Sequence, residues 1–549
     1  MDKNTSLNYQ KWLNEPSLDS STRNELKAIE NDEALINDAF YRSLEFGTGG
    51  LRGVIGAGSN RMNVYVVRMA TQGLANYLNK TYEHASVAIA YDSRNFSRVF
   101  AFEAANVLST NGITVHIYNQ LEPTPVLSFT TRYLKCDAGI VITASHNPRE
   151  YNGYKVYGPD GCQITNELAD KILAEINALD IFKDVKTGDT SRVNLVSDDV
   201  LNAYIESTLK RSLFKGERVA KIIYTPLHGA GLVPVTTALA KDGFNNVSVV
   251  EAQREPNGDF PTTAYPNPEF EEALSLGVKE MKEKNADILI ATDPDSDRLG
   301  MASLDELGVH YFSGNEVGIL LFDFITRHQT VNNGVLVKTI VTSDLLNIIA
   351  KEKGFEVREV LTGFKYIGEQ IGLLEKDNQI ERYVLGLEES CGYLTNTDCR
   401  DKDAVNAAML VAEMVDELLK SGSNPYKRLE EIYNQYGRYF TKTLSYTLKG
   451  SEGAARIKEL MEEFRYGKET LPVKGVEIVN DYQLQVSHTP SGDKVINLPK
   501  SNVLKYVYSN GDTITIRPSG TEPKIKIYIF TTSSEVIKET EEFLNNLIK

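Results

Sequence analysis

Two short apolar runs in this chain break off directly into loops of reactive side chains, and that abruptness constrains the fold more than any other feature. The first run, C-D-A-G-I-V-I, leads into T-A-S-H-N-P-R-E-Y-N-G-Y-K-V-Y, Thr143 to Tyr157. The second, Ile288-Leu289-Ile290, leads into A-T-D-P-D-S-D-R, Ala291 to Arg298. A short unbroken apolar run fits a strand buried on both faces, as in a sheet covered by helices. Open α/β folds place their chemistry where such strands end. Ser145 is therefore expected on a loop that leaves a sheet, with Asn147-Pro148 and Asn152-Gly153 turning the chain. Arg149 and Lys155 bring positive charge nearby.

Asp293, Asp295 and Asp297 alternate in a tight loop, where like charges converge only against something cationic. A hard divalent ion suits three carboxylates, and a phosphate oxygen on Ser145 would supply a further ligand. An EF-hand reading fails, because counting from Asp293 puts Arg298 where the loop needs glycine and Leu304 where it needs glutamate.

Strand and helix patterns alternate from Val66 to Leu419, which predicts repeated α/β units. Residues 1 to 45 read as polar helices anchored by Trp12 and Leu13. F-G-T-G-G-L-R-G, Phe46 to Gly53, reads as a glycine-rich loop that admits a phosphate, with Arg52 as a bidentate donor. Strand Val87–Tyr91 runs into D-S-R. In the second unit a strand runs into T-P-L-H-G-A-G, where His228 is either a substrate contact or a packed histidine. The third unit carries T-G-F-K, Thr362 to Lys365, and G-L-E-E-S-C-G-Y, Gly386 to Tyr393, whose Glu388 and Ser390 suit vicinal hydroxyls. R-D-K-D, Arg400 to Asp403, is a charged run before a helix. Past Tyr436 strands dominate, with a hairpin about Asn510-Gly511. That hairpin exits into R-P-S-G-T-E-P-K, Arg517 to Lys524, a phosphate cradle of one guanidinium, two hydroxyls and close amides. Thr532 and Glu535 read as a capping box for a last helix.

The 549 residues imply three or four domains. A formal charge of -16 argues against nucleic-acid or anionic-membrane partners. With no apolar leader and no apolar run of membrane length, a cytoplasmic location is expected. Four cysteines without C-x-x-C spacing read as free thiols.

A serine, a metal loop, a hydroxyl reader and a phosphate cradle are used together only by a substrate with both hydroxyls and a phosphate. T-A-S-H-N-P, D-P-D-S-D-R, G-L-E-E-S-C-G and R-P-S-G-T-E-P, in this order, resemble the α-D-phosphohexomutases from about Phe46 onward. F-G-T-G-G-L-R-G, Y-N-G-Y-K-V-Y and R-D-K-D are most similar to the phosphoglucomutase branch. Phe364-Lys365 and Tyr393 stand where some relatives have histidine, which points away from the phosphomannomutase branch.

The resemblance implies three related α/β sandwich domains plus a smaller α+β domain around a central cleft, divided at 1–203, 204–311, 312–436 and 437–549. It implies a phosphorylated Ser145 that helps Asp293, Asp295 and Asp297 hold Mg2+. Ser145, Lys155, Arg52 and His146 would form the catalytic group, with Lys155 the candidate for proton transfer. Arg298, Thr362, Gly363, Lys365, Glu388, Ser390, Lys402, Arg517, Ser519, Gly520 and Thr521 would bind substrate. The implied partners are small sugar phosphates, and the implied reaction interconverts glucose 1-phosphate and glucose 6-phosphate through glucose 1,6-bisphosphate. Rivals are a phosphopentomutase, a bisphosphate synthase, an aspartyl phosphatase attacked at Asp293, and a binding protein without catalysis.

Overall fold

The computed structural model describes residues 3–47, 49–448, 450–519 and 524–548. The chain divides into two compact units, Met1–Val331 with Ile367–Pro425, and Asn332–Tyr366 with Tyr426–Lys549. Strands and helices alternate up to the helix Ala404–Lys420, and a C-terminal region built on an antiparallel sheet follows, so the chain is three α/β domains plus an α+β one.

In the first unit a six-stranded sheet has the order Gly50–Val54, Tyr151–Tyr157, Ala138–Ile142, Ser86–Tyr91, Thr114–Ile117, Val193–Leu195. All five residues of Ala138–Ile142 are buried. The helices Ser97–Thr110 and Thr124–Tyr133 both pack on this strand and on Ser86–Tyr91. That covering is why the run is apolar throughout and does not alternate. A five-stranded sheet follows the same plan, in the order Gly308–Phe312, Leu299–Asp305, Ile288–Thr292, Ile222–Thr225, Val247–Val249. The same unit holds the hairpin Tyr383–Glu388 with Gly392–Leu394. It also holds the helix Gly314–His328, which opens on a capping box between Ser313 and Glu316.

Three expectations need correction. Asn152-Gly153 is not a turn but lies inside the strand Tyr151–Tyr157. A Cβ on Gly153 would come within 2.5 Å of the Thr143 carbonyl and 2.9 Å of the Leu51 carbonyl, so glycine serves close packing here. The buried Asn152 side chain donates to the Asn95 carbonyl at 2.9 Å and to the Ser97 hydroxyl at 3.0 Å. The glycine-rich segment from Phe46 is only partly a loop: Gly50–Val54 is an edge strand, antiparallel to Tyr151–Tyr157, with Arg52 opposite Gly153. In the last helix, Ser534–Ile548, the Ser533 hydroxyl accepts from the Glu535 amide at 3.3 Å, while the Thr532 hydroxyl turns to Asp512.

The amino-terminal helices Lys3–Leu13, Ser20–Ala28 and Glu33–Phe40 form as expected. Trp12 makes edge contacts with Phe40, Tyr65 and Phe182. Among the described residues no helix is long and apolar enough to cross a membrane.

The second unit pairs Val335–Thr339 with Glu356–Val360 in parallel. Its main sheet has the order Phe440–Thr447, Lys524–Thr531, Thr513–Pro518, Leu504–Tyr508, Val476–Asp481, Val486–Thr489, Gly492–Val495. The turn at Asn510-Gly511 forms, with Gly511 at φ +86°. Inside this unit the fully buried Lys338 ammonium is matched by Asp344 at 2.7 Å and Glu359 at 2.8 Å.

Gly153→Ala is expected to lower stability by about 1–3 kcal/mol, because the added methyl meets backbone that cannot swing aside. Urea unfolding of the variant beside the parent checks this through the shift in midpoint.

Candidate active site

Each candidate loop of the first unit is the tip of an antiparallel hairpin. The Ser145 loop joins Ala138–Ile142 to Tyr151–Tyr157, the aspartate loop joins Ile288–Thr292 to Leu299–Asp305, and Glu389 to Cys391 join the third pair. Anchoring by a strand on both sides keeps such a tip from drifting. Each tip also holds one non-glycine residue in the left-handed region: Ser145 at φ +51°, Ser296 at +50° and Cys391 at +63°. Such residues cost roughly 1–3 kcal/mol and persist where the surroundings over-determine them.

The Ser145 amide donates to the Thr143 hydroxyl at 2.8 Å. The Ser145 Oγ donates to Asp293 Oδ2 at 2.7 Å, across 148 positions of sequence. His146 Nδ1 lies 3.2 Å from the same Oγ. Burial, then Arg298 and Arg52, push the His146 imidazole well below its usual pKa, so it is neutral. Arg52 donates to Asn147 Oδ1 at 3.1 Å.

Asp293, Asp295 and Asp297 are buried and offer ligand atoms within 4.8 Å of one another, an arrangement that could hold a metal ion. The Asp297 and Arg298 amides donate to Asp293 Oδ1 at 3.2 and 3.0 Å. Thr124 donates its amide to the Asp295 carbonyl and its hydroxyl to Asp295 Oδ2, each at 2.9 Å. Lys155 Nζ lies 3.1 Å from Asp295 Oδ2 and 3.8 Å from Asp297 Oδ2, and Lys402 Nζ lies 3.0 Å from the latter. Burial and the other two carboxylates hold Asp293 well above the usual carboxylate range. Burial works the same way on Asp295, but Lys155, a hydrogen bond with Asp293 and Lys402 outweigh it and hold Asp295 low. Asp295 Oδ1 and Asp297 Oδ1 are buried without a hydrogen-bond partner among the described residues. Two buried acceptors left open beside a third carboxylate fit a hard divalent ion.

The third tip closes over this pair. Arg298 donates to the Ser390 carbonyl at 3.1 Å and to Glu269 at 2.7 Å, while its Nε is 3.9 Å from Asp297. Glu388 is buried at the end of its strand. The R-D-K-D run is buried. Arg400 pairs with Glu375 at 2.9 Å, Asp401 accepts from Tyr157 at 2.6 Å, and Asp403 caps the helix Ala404–Lys420. His228 is packed, its ring nitrogens 3.0 Å from the Glu255 carbonyl and 3.0 Å from the Thr262 hydroxyl.

In the second unit Thr362 and Gly363 precede the helix Phe364–Lys376, and Lys365 Nζ sits 5.2 Å over the Tyr366 ring. Arg517 lies in the strand Thr513–Pro518, and the Ser519 amide donates to the Lys524 carbonyl at 2.7 Å. Gly520 and Thr521 lie outside the described residues.

Sequence reasoning missed Thr124, Asp401, Tyr157 and Arg94. Tyr157 and Asp401 lie inside Y-N-G-Y-K-V-Y and R-D-K-D, and Arg94 stands where a buried strand ends in D-S-R; Thr124 carried no signal.

Residues 43–181, 202–306, 313–437 and 454–547 match the profiles of phosphoglucomutase/phosphomannomutase alpha/beta/alpha domains I, II and III and of the C-terminal domain. The chain belongs to the phosphoglucomutase/phosphomannomutase family. It is 37% identical over 527 residues to a phosphoglucomutase of Staphylococcus saprophyticus, covering 93% of this chain and 95% of that protein. It is also 37% identical over 505 residues to one of Staphylococcus aureus, covering 90% of each. Among solved structures it resembles a Burkholderia thailandensis phosphoglucomutase/phosphomannomutase family protein, at TM-score 0.68 and 19% identity over 91% of this chain and 96% of that one. The open form of Paramecium parafusin, a phosphoglucomutase, superposes at TM-score 0.67 and 19% identity over 92% of this chain and 94% of that one. These structures share its fold. As a phosphoglucomutase/phosphomannomutase, the chain is an enzyme of intramolecular phosphoryl transfer.

One acid beside this site predicts a pH dependence. Glu122 precedes Pro123-Thr124, and burial, then Asp198, push its carboxyl up to about 8. An acid raised on folding contributes stability that is complete below its unfolded pKa and is lost as pH rises through the folded one. Glu122's contribution to the free energy of unfolding should therefore fall between about pH 5 and 8 with a slope of up to about 1.4 kcal/mol per pH unit. Glu122→Gln should flatten that slope, as urea titrations across the range would reveal.

Proposed function

We propose that this enzyme is a cytoplasmic phosphoglucomutase that interconverts glucose 1-phosphate and glucose 6-phosphate through a phosphorylated Ser145 and glucose 1,6-bisphosphate. The carrying observation is the 2.7 Å hydrogen bond from Ser145 Oγ to a buried acid trio, in a chain 37% identical to phosphoglucomutases. We also propose the domain limits 1–203, 204–311, 312–436 and 437–549.

In the proposed reaction a sugar hydroxyl attacks the phosphorus on Ser145. The new P–O bond forms on the sugar as the bond to Oγ breaks; Lys155 gives a proton to the departing Oγ and takes the hydroxyl proton in its place, with neutral His146 as a second acceptor beside Oγ. The resulting bisphosphate reorients and returns its other phosphate to Oγ by the reverse exchange: Oγ, aimed by its bond to Asp293, gives its proton to Lys155 as the released sugar oxygen takes one from it. Asp293, Asp295 and Asp297 would hold Mg2+, which neutralises charge on the transferring group. Arg52 and Arg298 would add guanidinium charge at the phosphoryl group. Glu388, Ser390 and Lys402 would read sugar hydroxyls, with Thr362, Gly363 and Lys365 contributing to substrate binding. Arg517 and Ser519 would grip the phosphate that is not reacting.

Ser145→Ala should leave no turnover above background in a coupled glucose 6-phosphate assay, and Lys155→Met should lower kcat by about 10²–10⁴-fold. Enzyme incubated with labelled glucose 1,6-bisphosphate should carry label on Ser145; label on Asp293 would favour an aspartyl phosphatase instead. Chelation should abolish activity and Mg2+ should restore it. Glucose 1-phosphate should exceed ribose 1-phosphate in kcat/KM by at least about tenfold, an advantage worth about 1.4 kcal/mol in the transition state.

A further inference from the structure

The loop that presents Ser145 has few hydrogen bonds of its own. Asn147 donates to the Ala144 carbonyl and Tyr151 to the Pro148 carbonyl, both at 3.1 Å, and no ladder runs through the tip. Arg52 adds one bond to Asn147 Oδ1, and a second side chain supplies most of the missing order. Arg94, whose side chain is wholly buried, donates Nη2 to the Ser145 carbonyl at 2.5 Å and to the Asn147 carbonyl. Its Nη1 donates to the Pro148 carbonyl at 2.8 Å and the Tyr151 carbonyl at 3.1 Å. Four carbonyls of one loop thus converge on one guanidinium.

The arginine is itself fixed from behind. Asp92 Oδ2 lies 3.4 Å from its Nε, and Asp92 Oδ1 accepts from the Arg94 amide at 2.9 Å and from Ser97 at 2.7 Å. The ring of Phe260, in the second domain, lies 5.0 Å from the guanidinium carbon. The neighbouring Asn95 donates to Asp259 at 2.9 Å, and Gly258 leaves no room for a Cβ, which would come 2.7 Å from Asn95 Oδ1. The D-S-R turn therefore grips the serine loop and the domain that carries Asp293 at once.

We infer that Arg94 is a positioning residue for phosphoryl transfer: it holds the Ser145 loop in the left-handed conformation that aims Oγ at Asp293. The inference rests on Ser145 being the phosphorylated residue. Its physical basis is shape as well as charge, because a planar fork with donors on two terminal nitrogens reaches four carbonyls at once, where an ammonium has three donors on a single atom. Arg94 touches no reacting atom, so its loss acts through misplacement of Oγ, and a displacement of about 1 Å can cost about 10²-fold in rate.

The test compares Arg94→Lys and Arg94→Ala with the parent after loading with labelled glucose 1,6-bisphosphate, expressing kcat per labelled serine. Arg94→Lys should lower kcat per labelled serine about 100-fold while KM for glucose 1-phosphate moves less than about threefold, and Arg94→Ala should fall further. A loss of folded molecules alone would leave kcat per labelled serine unchanged. Should the arginine variants fail to fold, Asp92→Asn keeps the guanidinium but frees its rear anchor, and it should lower the same quantity with the same indifference of KM. A kcat per labelled serine within twofold of the parent overturns the role of Arg94. An unlabelled Ser145 in the active parent overturns the phosphoserine reading, and the inference with it.

Discussion

Three carboxylates held within 4.8 Å of one another, with almost no solvent, are the constraint to which the rest of the first unit answers. Two unit charges about 4 Å apart interact by roughly 4 kcal/mol at the effective dielectric near a protein surface. The trio therefore cannot persist on its own loop's resources. Beyond Arg298 and the loop's own amides, compensation comes from elsewhere in the sequence: Lys155 from the first sheet, Lys402 from the segment before a late helix, and Thr124 from the start of another. Residues separated by more than a hundred positions are bound into one electrostatic problem. That problem fixes where three hairpin tips must meet.

The tips show how a parallel sheet is adapted to this demand. A buried parallel strand normally leaves its sheet through a loop into a helix. Here Ala138–Ile142 and Ile288–Thr292 turn straight back as antiparallel partners. The return strand lets a single loop project from the edge of the chemistry while both its ends stay hydrogen-bonded. It also puts Lys155 on a strand, where its direction is set by the pleat.

Much of this was legible beforehand because it is local. Apolar runs, the Asn510-Gly511 turn and the alternate aspartates each express their structure within a few residues. The misreadings share the opposite property. Asn152-Gly153 has the composition of a turn, yet only the approach of the Thr143 and Leu51 backbones explains its glycine. Arg400 to Asp403 read in the sequence only as a charged run, and their burial follows from Glu375, Tyr157 and Asp297 being brought to them. Arg94 stands at the end of a buried strand, but its importance lies in carbonyls about 50 positions away. Long-range pairing of buried charge is what a single sequence conceals.

The amino-terminal helices have a spectroscopic consequence. The chain has 28 tyrosines but a single tryptophan, Trp12, and that indole is wedged among Phe40, Tyr65 and Phe182 on the first domain. Emission excited at the red edge of the indole band thus reports one local event, the seating of the leading helix on that domain. A far-ultraviolet signal averages every helix and sheet in the chain. Disagreement between the two probes during denaturation would time the departure of the leading helix against the collapse of everything else.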